Sequence, residues 1–299
     1  MFKIHTKTKL LLIITALLLT AIFLTYKIQN TNMEKLKSPL LNPKKKNDVY
    51  KIQIIIPDTT NSRMLNSLTF QKQNNYFIFE TAVGEYEVKD DIINNLLNAL
   101  ITKMEITKIS SSKSSFLNYG FESNSFSTIR LEDQNNKLIK ELYFGKKDTL
   151  GSNIYFKTNT TNIYKVKDIY SKFLTLTTHF WLDLQLYKDT FSKNALQGII
   201  INSNIYPRNE KYKKEITDME QALKIFTCIG IYYAPFPQSP DTKKITLSLG
   251  NNKTITAKYI KLENGDYVFA DSRRKNTYIA SNYAVSKLEE IIFKIKNKQ

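Results

Sequence analysis

The distribution of apolar and polar positions divides the chain into one long apolar run near the amino terminus and a body of short alternating segments. The apolar run, Leu10 to Tyr26, carries no charge and is preceded by Lys3, Lys7 and Lys9. A helix that rises about 1.5 Å per residue reaches the lower limit for crossing a bilayer over that length. The run is longer than the apolar core of a signal peptide, and no convincing small-residue cleavage site follows it. We therefore expect an uncleaved signal anchor over residues 1–27, with a cleaved signal peptide as the alternative.

The charges around this run set its expected orientation. Basic residues favour the cytoplasmic side, and the following flank, with Lys35 and Lys44–Lys46, is more basic than the preceding one. However, a short basic segment before the first apolar run directs export, and long domains cross the membrane largely regardless of charge. We expect a single-pass protein of the cytoplasmic (inner) membrane whose carboxy-terminal domain lies outside the cytoplasm. Residues 28–48, with Pro39 and Pro43, have the composition of a tether.

Beyond this segment, two stretches resemble each other at a constant spacing. Ser127–Lys147 matches Lys244–Asn264, with Tyr143 aligned with Tyr259 and an Asn-Asn-Lys turn sequence in both. Alternating apolar and polar residues on either side of an Asn-rich turn predict a β-hairpin in each stretch. The ordered matches continue into further strands and a closing helix, which indicates an internal duplication.

The duplication leads to an expected fold class. We expect an α+β fold in which an N-terminal transmembrane helix is followed by two related antiparallel-sheet-plus-helix repeats. The expected domains are the signal anchor 1–27, the tether 28–48, the first repeat 49–188 and the second repeat 189–299. Apolar residues at helical spacing predict two inner helices, Asp90–Met104 and Asp218–Ile231, and two closing helices, Lys167–Gln185 and Ser281–Lys298.

Composition adds a strong positive charge to this picture. The chain carries 44 Lys and Arg against 27 Asp and Glu, a net charge of +17. Such a charge attracts polyanions and anionic lipid, but the basic residues are scattered, and heavy use of Lys, Asn and Ile is typical of compositional drift. No nucleic-acid-binding motif accompanies the charge, so we expect no nucleic-acid partner. The cluster Arg273, Arg274 and Lys275, in the turn after a predicted strand, is the candidate interaction site.

Residue types that catalysis and metal binding need are scarce. The chain has two histidines, His5 and His179, and one cysteine, Cys228, too few for a His-rich metal site or an intramolecular disulfide. No glycine-rich phosphate loop is present. A hydrolase would need His179 as a base oriented by Asp183, whereas we favour a partly buried packing role for His179 and a core position for Cys228. We therefore expect no enzymatic activity, no cofactor and no metal site.

A short signature precedes the first hairpin. Leu117–Phe121 reads Leu-Asn-Tyr-Gly-Phe and is followed by the strands Thr128–Leu131 and Leu142–Lys146, the second of which contains Gly145. This order resembles a family of uncharacterised bacterial domains that are anchored by an amino-terminal helix and are often encoded beside ABC transporters of the gliding-motility kind. Phe121 stands where that family usually has Leu.

The resemblance implies an extracytoplasmic accessory of a transport complex. We expect a non-enzymatic, membrane-anchored accessory or scaffold protein that contacts lipid through its amino-terminal helix and binds an envelope protein, an ABC transporter subunit. The alternative is a binding module for an anionic envelope polymer or lipid headgroup, which would use Arg273, Arg274 and Lys275.

Overall fold

The computed structural model describes residues 14–22, 35–57, 65–82, 84–122, 125–191, 195–250, 253–274 and 276–298. Residues 14–22 are helical (α1) and expose their side chains. Leu10 and Tyr26, the predicted ends of the membrane anchor, lie outside the described residues. Among the helices of the described ranges, none has the length and apolar character that crossing a membrane requires.

The first sheet uses the strands that precede Leu174 in the chain. Two helices accompany it, α2 (Asp90–Ile101) and the single turn α3 (Phe116–Tyr119). Its strands are β1 (Lys35–Ser38), β2 (Lys51–Pro57), β3 (Leu65–Gln73), β4 (Tyr76–Thr81), β5 (Gly84–Glu87), β6 (Met104–Ser110), β7 (Ser127–Glu132), β8 (Leu138–Lys147), β9 (Asn153–Lys157) and β10 (Ile163–Lys167).

The second sheet follows a one-turn helix, α4 (Thr178–Trp181). Its helices are α5 (Lys213–Lys224) and α6 (Asn282–Lys296). Its strands are β11 (Leu196–Ile201), β12 (Asn204–Pro207), β13 (Gly230–Ile231), β14 (Lys243–Leu249), β15 (Thr254–Lys261), β16 (Tyr267–Asp271) and β17 (Tyr278–Ala280).

The strand orders of the two sheets correspond. The first sheet has the order β1-β6-β10-β9-β8-β7-β2-β3-β4-β5 and the second has β12-β11-β14-β15-β16-β17-β13. Read from β3 to β6, the first order is β3-β2-β7-β8-β9-β10-β6, which repeats the second strand for strand. The prediction of an α+β fold with two antiparallel sheets is therefore confirmed, and the first copy carries β1 and the β4–β5 hairpin in addition.

Cross-strand partners show which residues are equivalent. Phe156 lies opposite Phe144 and Tyr164 in the first sheet, and Phe269 lies opposite Tyr259 and Tyr278 in the second. The equivalent of Tyr259 is thus Phe144, and the predicted alignment with Tyr143 is wrong by one residue. The cause is a β-bulge at position 139: Leu131 pairs with Lys140, but Glu132 pairs with Leu138.

Contacts group the described residues into two compact units. Unit 1 takes the described residues of Met1–Val49, Ile54–Ser67 and Leu96–Leu174, and unit 2 takes those of Tyr50–Gln53, Leu68–Asn95 and Thr175–Gln299. The core of unit 1 includes Phe144 stacked near Tyr170, with ring centroids 5.4 Å apart. The core of unit 2 includes Phe226 and Phe269 at 4.8 Å, and α5 packs against α6 and β11. The division at residues 49, 188 and 189 stays a prediction.

The closing helix of the second copy is confirmed, whereas that of the first copy is not formed. Ser281 begins α6 as its N-cap, and its hydroxyl accepts a hydrogen bond from the Ala284 amide at 3.2 Å. Residues 167–185 instead form a 3-10 turn at Ser171–Phe173 and the single turn α4. In a helix, the buried apolar residues at and just after the end of this segment would point in every direction, whereas a helix at the surface buries only one stripe of residues. These buried residues are Trp181, Leu182, Leu184, Leu186 and Tyr187.

Two further predictions are corrected. The inner helix predicted over Asp218–Ile231 is α5, Lys213–Lys224, and it buries Ile216, Met219 and Leu223 at helical spacing. Beyond Lys224 the chain is extended. Phe226 and Cys228, two residues apart, are both buried, which is the spacing of an extended chain, and Ile225 directly after the helix is exposed. The other correction concerns the segment predicted as a tether, which is ordered from Lys35: β1 pairs with β6, and Leu40 and Leu41 are in the core.

Candidate functional site

Three adjacent strands of unit 2 place two lysines side by side. Lys244 on β14 and Lys258 on β15 are direct cross-strand partners, and Ala270 on β16 lies on the other side of Lys258. Direct partners in an antiparallel sheet point to the same face with Cβ atoms about 5 Å apart, so two like charges there destabilise the sheet. In the part of the chain that the structure describes, neither lysine forms an ion pair with an acidic group.

A loop between β13 and β14 forms one wall above this face. Pro235, Phe236 and Gln238 stand over the lysines, and the Lys258 ammonium lies 4.2 Å from the centroid of the Phe236 ring. The enclosed space is a cleft of about 710 Å³, within the usual range for ligand sites. We call it the lysine cleft; it is lined by Ala82, Pro235, Phe236, Gln238, Lys244, Thr256, Lys258, Ala270, Asp271, Ser272, Arg274 and Thr277.

Arg274 supplies a third cation to the lysine cleft. It follows β16 in a turn, and its guanidinium donates a hydrogen bond to the Tyr278 hydroxyl at 3.3 Å. Burial lowers the pKa of Arg274, but the Tyr278 hydroxyl and the carboxylates of Asp271 and Glu87 outweigh it and raise the pKa above the usual value. The guanidinium is therefore charged, half-buried and held at one edge of the cleft.

Arg273, unlike Arg274, does not line the lysine cleft and forms its contacts within the fold. Its guanidinium holds the buried Asp271 carboxylate at 2.6 and 3.2 Å, donates to the Leu186 carbonyl at 2.8 Å and the Thr190 hydroxyl at 2.6 Å, and covers the Tyr187 ring at 4.7 Å. These contacts fasten the segment around Tyr187 to the sheet. Of the predicted cluster, Arg273 is thus committed to the fold and Lys275 lies outside the described residues.

The sequence therefore points to Arg274, but not to the lysines beside it. Lys244 and Lys258 occupy polar positions of the predicted hairpin, where a lysine is ordinarily solvated. The signal that could have found them is register: once the Asn-rich turn is fixed, counting back along both strands makes them direct partners.

A second cleft adjoins Arg274 from the side of the β4–β5 hairpin. It encloses about 790 Å³ and is lined by Glu80, Glu85 and Glu87 as well as Arg274 and Asn276. The hairpin is fixed there because the Tyr86 hydroxyl donates to the Thr277 carbonyl at 2.9 Å and the Asn276 side chain donates to the Glu85 carbonyl. Burial raises the pKa of Tyr86 to about 12, which keeps this hydroxyl a donor.

His179 and Cys228, the other singled-out residues, lie apart from the lysine cleft. His179 is exposed on α4, contrary to the partly buried position expected, and its carbonyl accepts a hydrogen bond from Lys89 at 2.7 Å. Asp183 accepts from the Gln185 amide at 3.1 Å. Cys228 is buried, and burial raises the pKa of its thiol well above the usual value. Within the described ranges, no group of three His, Cys, Asp or Glu side chains is arranged to hold a metal ion.

The equivalent face of unit 1 carries different residues. Tyr143 on β8 lies opposite Thr128 on β7 and opposite Lys157 on β9. Thr128 therefore corresponds to Lys244, Tyr143 to Lys258 and Lys157 to Ala270. The Lys157 ammonium lies over the ring of Tyr143 at 4.3 Å.

Rings from the β6–β7 connection cover this first face. The Phe126 ring meets that of Tyr143 edge-on at 5.3 Å, Phe121 packs on Phe126 at 6.3 Å, and Phe116 lies 5.3 Å from the Lys157 ammonium. The Leu-Asn-Tyr-Gly-Phe signature is part of this cover.

The comparison with known proteins yields a family and nothing more specific. Residues 81–246 match the family model described as Domain of unknown function (DUF4340). The matched range runs from the end of β4 into β14 and contains the signature Leu117–Phe121. No curated protein and no solved structure matches the chain. Because the match covers more than half of the chain, this protein belongs to the DUF4340 family.

Proposed function

We propose that this protein is a non-enzymatic, membrane-anchored accessory of an ABC-type transport complex, with its two sheet-containing units outside the cytoplasm. The observation that carries the proposal is the helical segment α1. Leu17, Leu18, Leu19 and Ile22 are between 59% and 65% exposed there, on every side of the helix. A helix that is apolar all round is stable only when lipid or protein covers it.

The body of the protein supports a binding role. The lysine cleft joins apolar and charged groups without a hydrogen-bonded nucleophile and base, and the Cys228 thiol is protonated at neutral pH because burial raises its pKa. Family membership and the signature resemblance add the expectation of an envelope partner encoded with a transporter.

Membrane attachment can be tested on α1 directly. Replacing Leu18 and Leu19 with Asp places two charges in the apolar helix, at a cost to insertion of about 2.5–3.5 kcal/mol each. We expect the variant to appear in the soluble fraction after carbonate washing, whereas a Leu18→Val, Leu19→Val control stays with the membrane. Removal of the unaltered protein by a salt wash would refute the anchor, and protection of the units from protease added to spheroplasts would refute the orientation.

The transport partner requires a separate experiment. The full-length protein, purified through a carboxy-terminal tag from detergent-solubilised membranes, should retain ABC transporter subunits. A tagged, unrelated single-pass protein of the same membrane is the control. If transporter subunits are absent after chemical cross-linking in intact cells, the accessory role is wrong.

A second candidate function is binding of an anionic envelope polymer or lipid headgroup. The observation that favours it is that three cations, Lys244, Lys258 and Arg274, line one cleft and form no direct ion pair with an acidic group among the described residues. Binding to vesicles that contain phosphatidylglycerol should then fall steeply with salt, since exposed charges are screened. Arg274→Glu should weaken it, while equal binding to neutral phosphatidylcholine vesicles would reject this function.

A further inference from the structure

We propose that the lysine cleft binds an acidic peptide segment, with a carboxylate against Lys244, Lys258 and Arg274 and a neighbouring apolar side chain against Phe236. The inference rests on the proposed function because it assigns the acidic segment to the envelope protein that this protein is proposed to bind.

The first step is the unfavourable placement of the two lysines. Lys244 and Lys258 are direct partners on one face, a position where opposite charges stabilise a sheet and like charges destabilise it. The next pair on that face, Thr246 and Thr256, is matched, with hydroxyl oxygens 3.0 Å apart. An anion between the lysines converts the repulsion into two attractions, so the arrangement gains most from a bound carboxylate.

The second step is the guanidinium at the edge of the cleft. Arg274 donates one hydrogen bond to Tyr278 and, within the described ranges, forms no ion pair. A guanidinium has five N–H donors in a planar fork, which fits the two oxygens of a carboxylate. Since Arg274 is half-buried, such a contact is screened by water less than one on the open surface.

The third step is the apolar part of the cleft. Phe236 and Pro235 form one wall and Ala270 part of the floor. The Phe236 ring is in contact with the Lys258 ammonium at 4.2 Å, so the apolar and cationic groups are adjacent. A polyphosphate chain would use the cations and leave the apolar wall in water, whereas a peptide with acidic and apolar side chains uses both.

The fourth step comes from the other unit. The equivalent face, Thr128, Tyr143 and Lys157, is covered by a peptide segment of the chain itself, the connection that contains Phe121 and Phe126. The same sheet geometry therefore accommodates a polypeptide in unit 1. In unit 2 the shorter connection forms one wall with Phe236 and leaves a cleft beside it.

The test uses the full-length protein in detergent and a fluorescein-labelled peptide that alternates Glu with Leu and Phe. Fluorescence anisotropy should show binding to the unaltered protein and at least about a tenfold loss for the Lys244→Gln, Lys258→Gln variant, because charge-assisted contacts are lost. The matched control, Lys253→Gln with Lys261→Gln, removes the same charge from two exposed positions, one just before β15 and one at its end, and should bind normally. A Gln-for-Glu peptide should not bind.

Three outcomes overturn the inference. One is equal binding by both double variants while circular dichroism shows both folded. Another is undiminished binding by the Phe236→Ala variant, because this substitution removes the proposed apolar contact. The third is tighter binding of polyphosphate than of the peptide, which would assign the cleft to an anionic polymer.

The same variants separate this inference from the proposed function. If the Lys244→Gln, Lys258→Gln protein still co-purifies with transporter subunits, the accessory role stands and the lysine cleft is not its docking site. If the peptide binds as expected but no subunit co-purifies, the cleft assignment stands and the transporter partner is wrong.

Discussion

The two units differ in what covers the equivalent face of their sheets. In unit 1 the face formed by Thr128, Tyr143 and Lys157 is covered by aromatic rings from the connection between β6 and β7, and the Lys157 ammonium lies against the Phe116 ring of that connection. In unit 2 the corresponding positions are Lys244, Lys258 and Ala270, and the connection between β13 and β14 leaves a cleft of about 710 Å³.

The difference lies in how the two connections approach the sheet. In unit 1, Gly120 adopts a left-handed conformation with φ of 78°, and a Cβ at Gly145 would overlap the Tyr119 carbonyl oxygen, so the connection lies directly on β8. The residue equivalent to Gly145 in unit 2 is Ile260, which carries the Cβ that the close approach at Gly145 excludes. The strand order is thus the same in both sheets, while the connection determines whether this face is covered by rings or left as a cleft.

The largest expected effect tests how unit 2 keeps its shape beside an open face. Arg273→Gln leaves the Asp271 carboxylate, whose side chain is 1% exposed, without its charged partner, and of the described residues only the backbone amide of residue 273 still donates to it. We expect a loss of about 3 kcal/mol in the free energy of unfolding, because one member of a buried ion pair remains. Urea denaturation measures it, with Arg274→Gln as a control expected to lose less than about 1 kcal/mol. Equal losses would mean that Arg273 does not fasten the Tyr187 segment.

A second substitution opens the closed face. Gly145→Ala forces the signature segment away from β8, and overpacking of this kind costs about 1–3 kcal/mol. The matched change in unit 2, Ile260→Val, removes one methylene group from a half-buried position and should cost about 0.5 kcal/mol. Thermal unfolding of both variants distinguishes them. A tolerated Gly145→Ala would show that the cover is not in close contact with the strand.

The third test concerns the closing segments, which form the long helix α6 in the second copy and only the single turn α4 in the first. Ser281→Ala removes the N-cap of α6 and should cost about 1 kcal/mol. Ser286→Ala, on the exposed side of the same helix, should be neutral or slightly stabilising, since Ala is the better helix former. Chemical denaturation of the two variants provides the comparison, and equal effects would show that the cap contributes nothing.

The smallest expected effect has the opposite sign. Lys244→Thr gives unit 2 the residue that unit 1 has at the equivalent position and removes the like-charge pair, so the free energy of unfolding should rise by about 0.5 kcal/mol. Lys253→Thr, which removes an exposed charge from the turn between β14 and β15, should change the free energy of unfolding by less. A destabilised Lys244→Thr protein would mean that the two lysines do not repel each other in the folded chain.

The hairpins were predictable because they depend on local sequence. The alternation of apolar and polar residues around the Asn-rich turns predicted a hairpin in Ser127–Lys147 and another in Lys244–Asn264, and the structure has β7–β8 and β14–β15 there. The alignment of Tyr143 with Tyr259 failed because a single extra residue at the bulge changes the face of every residue beyond it. An alignment of the two stretches without gaps cannot show that one strand contains an extra residue.

Other elements depended on distant partners and were missed. β6 begins at Met104, where a helix was predicted to end, because its residues pair with β10 and β1. The segment after Lys167 has one helical turn and one 3-10 turn in place of the predicted long helix, because burial of Trp181 and its neighbours stabilises an irregular path more than helical periodicity does. Arg274 could be selected from the sequence as a charged turn residue, whereas Lys244 and Lys258 required the register.

The sequence by itself determined the α+β class and the two hairpins with matching turns, because these follow from patterns that extend over a few residues or recur at a constant spacing. Only the tertiary structure decided that Arg273 is bound within the fold, that Arg274 faces a cleft and that two lysines meet across a hairpin. Those properties depend on which strands pair and in which register, and packing between residues far apart in the chain selects both.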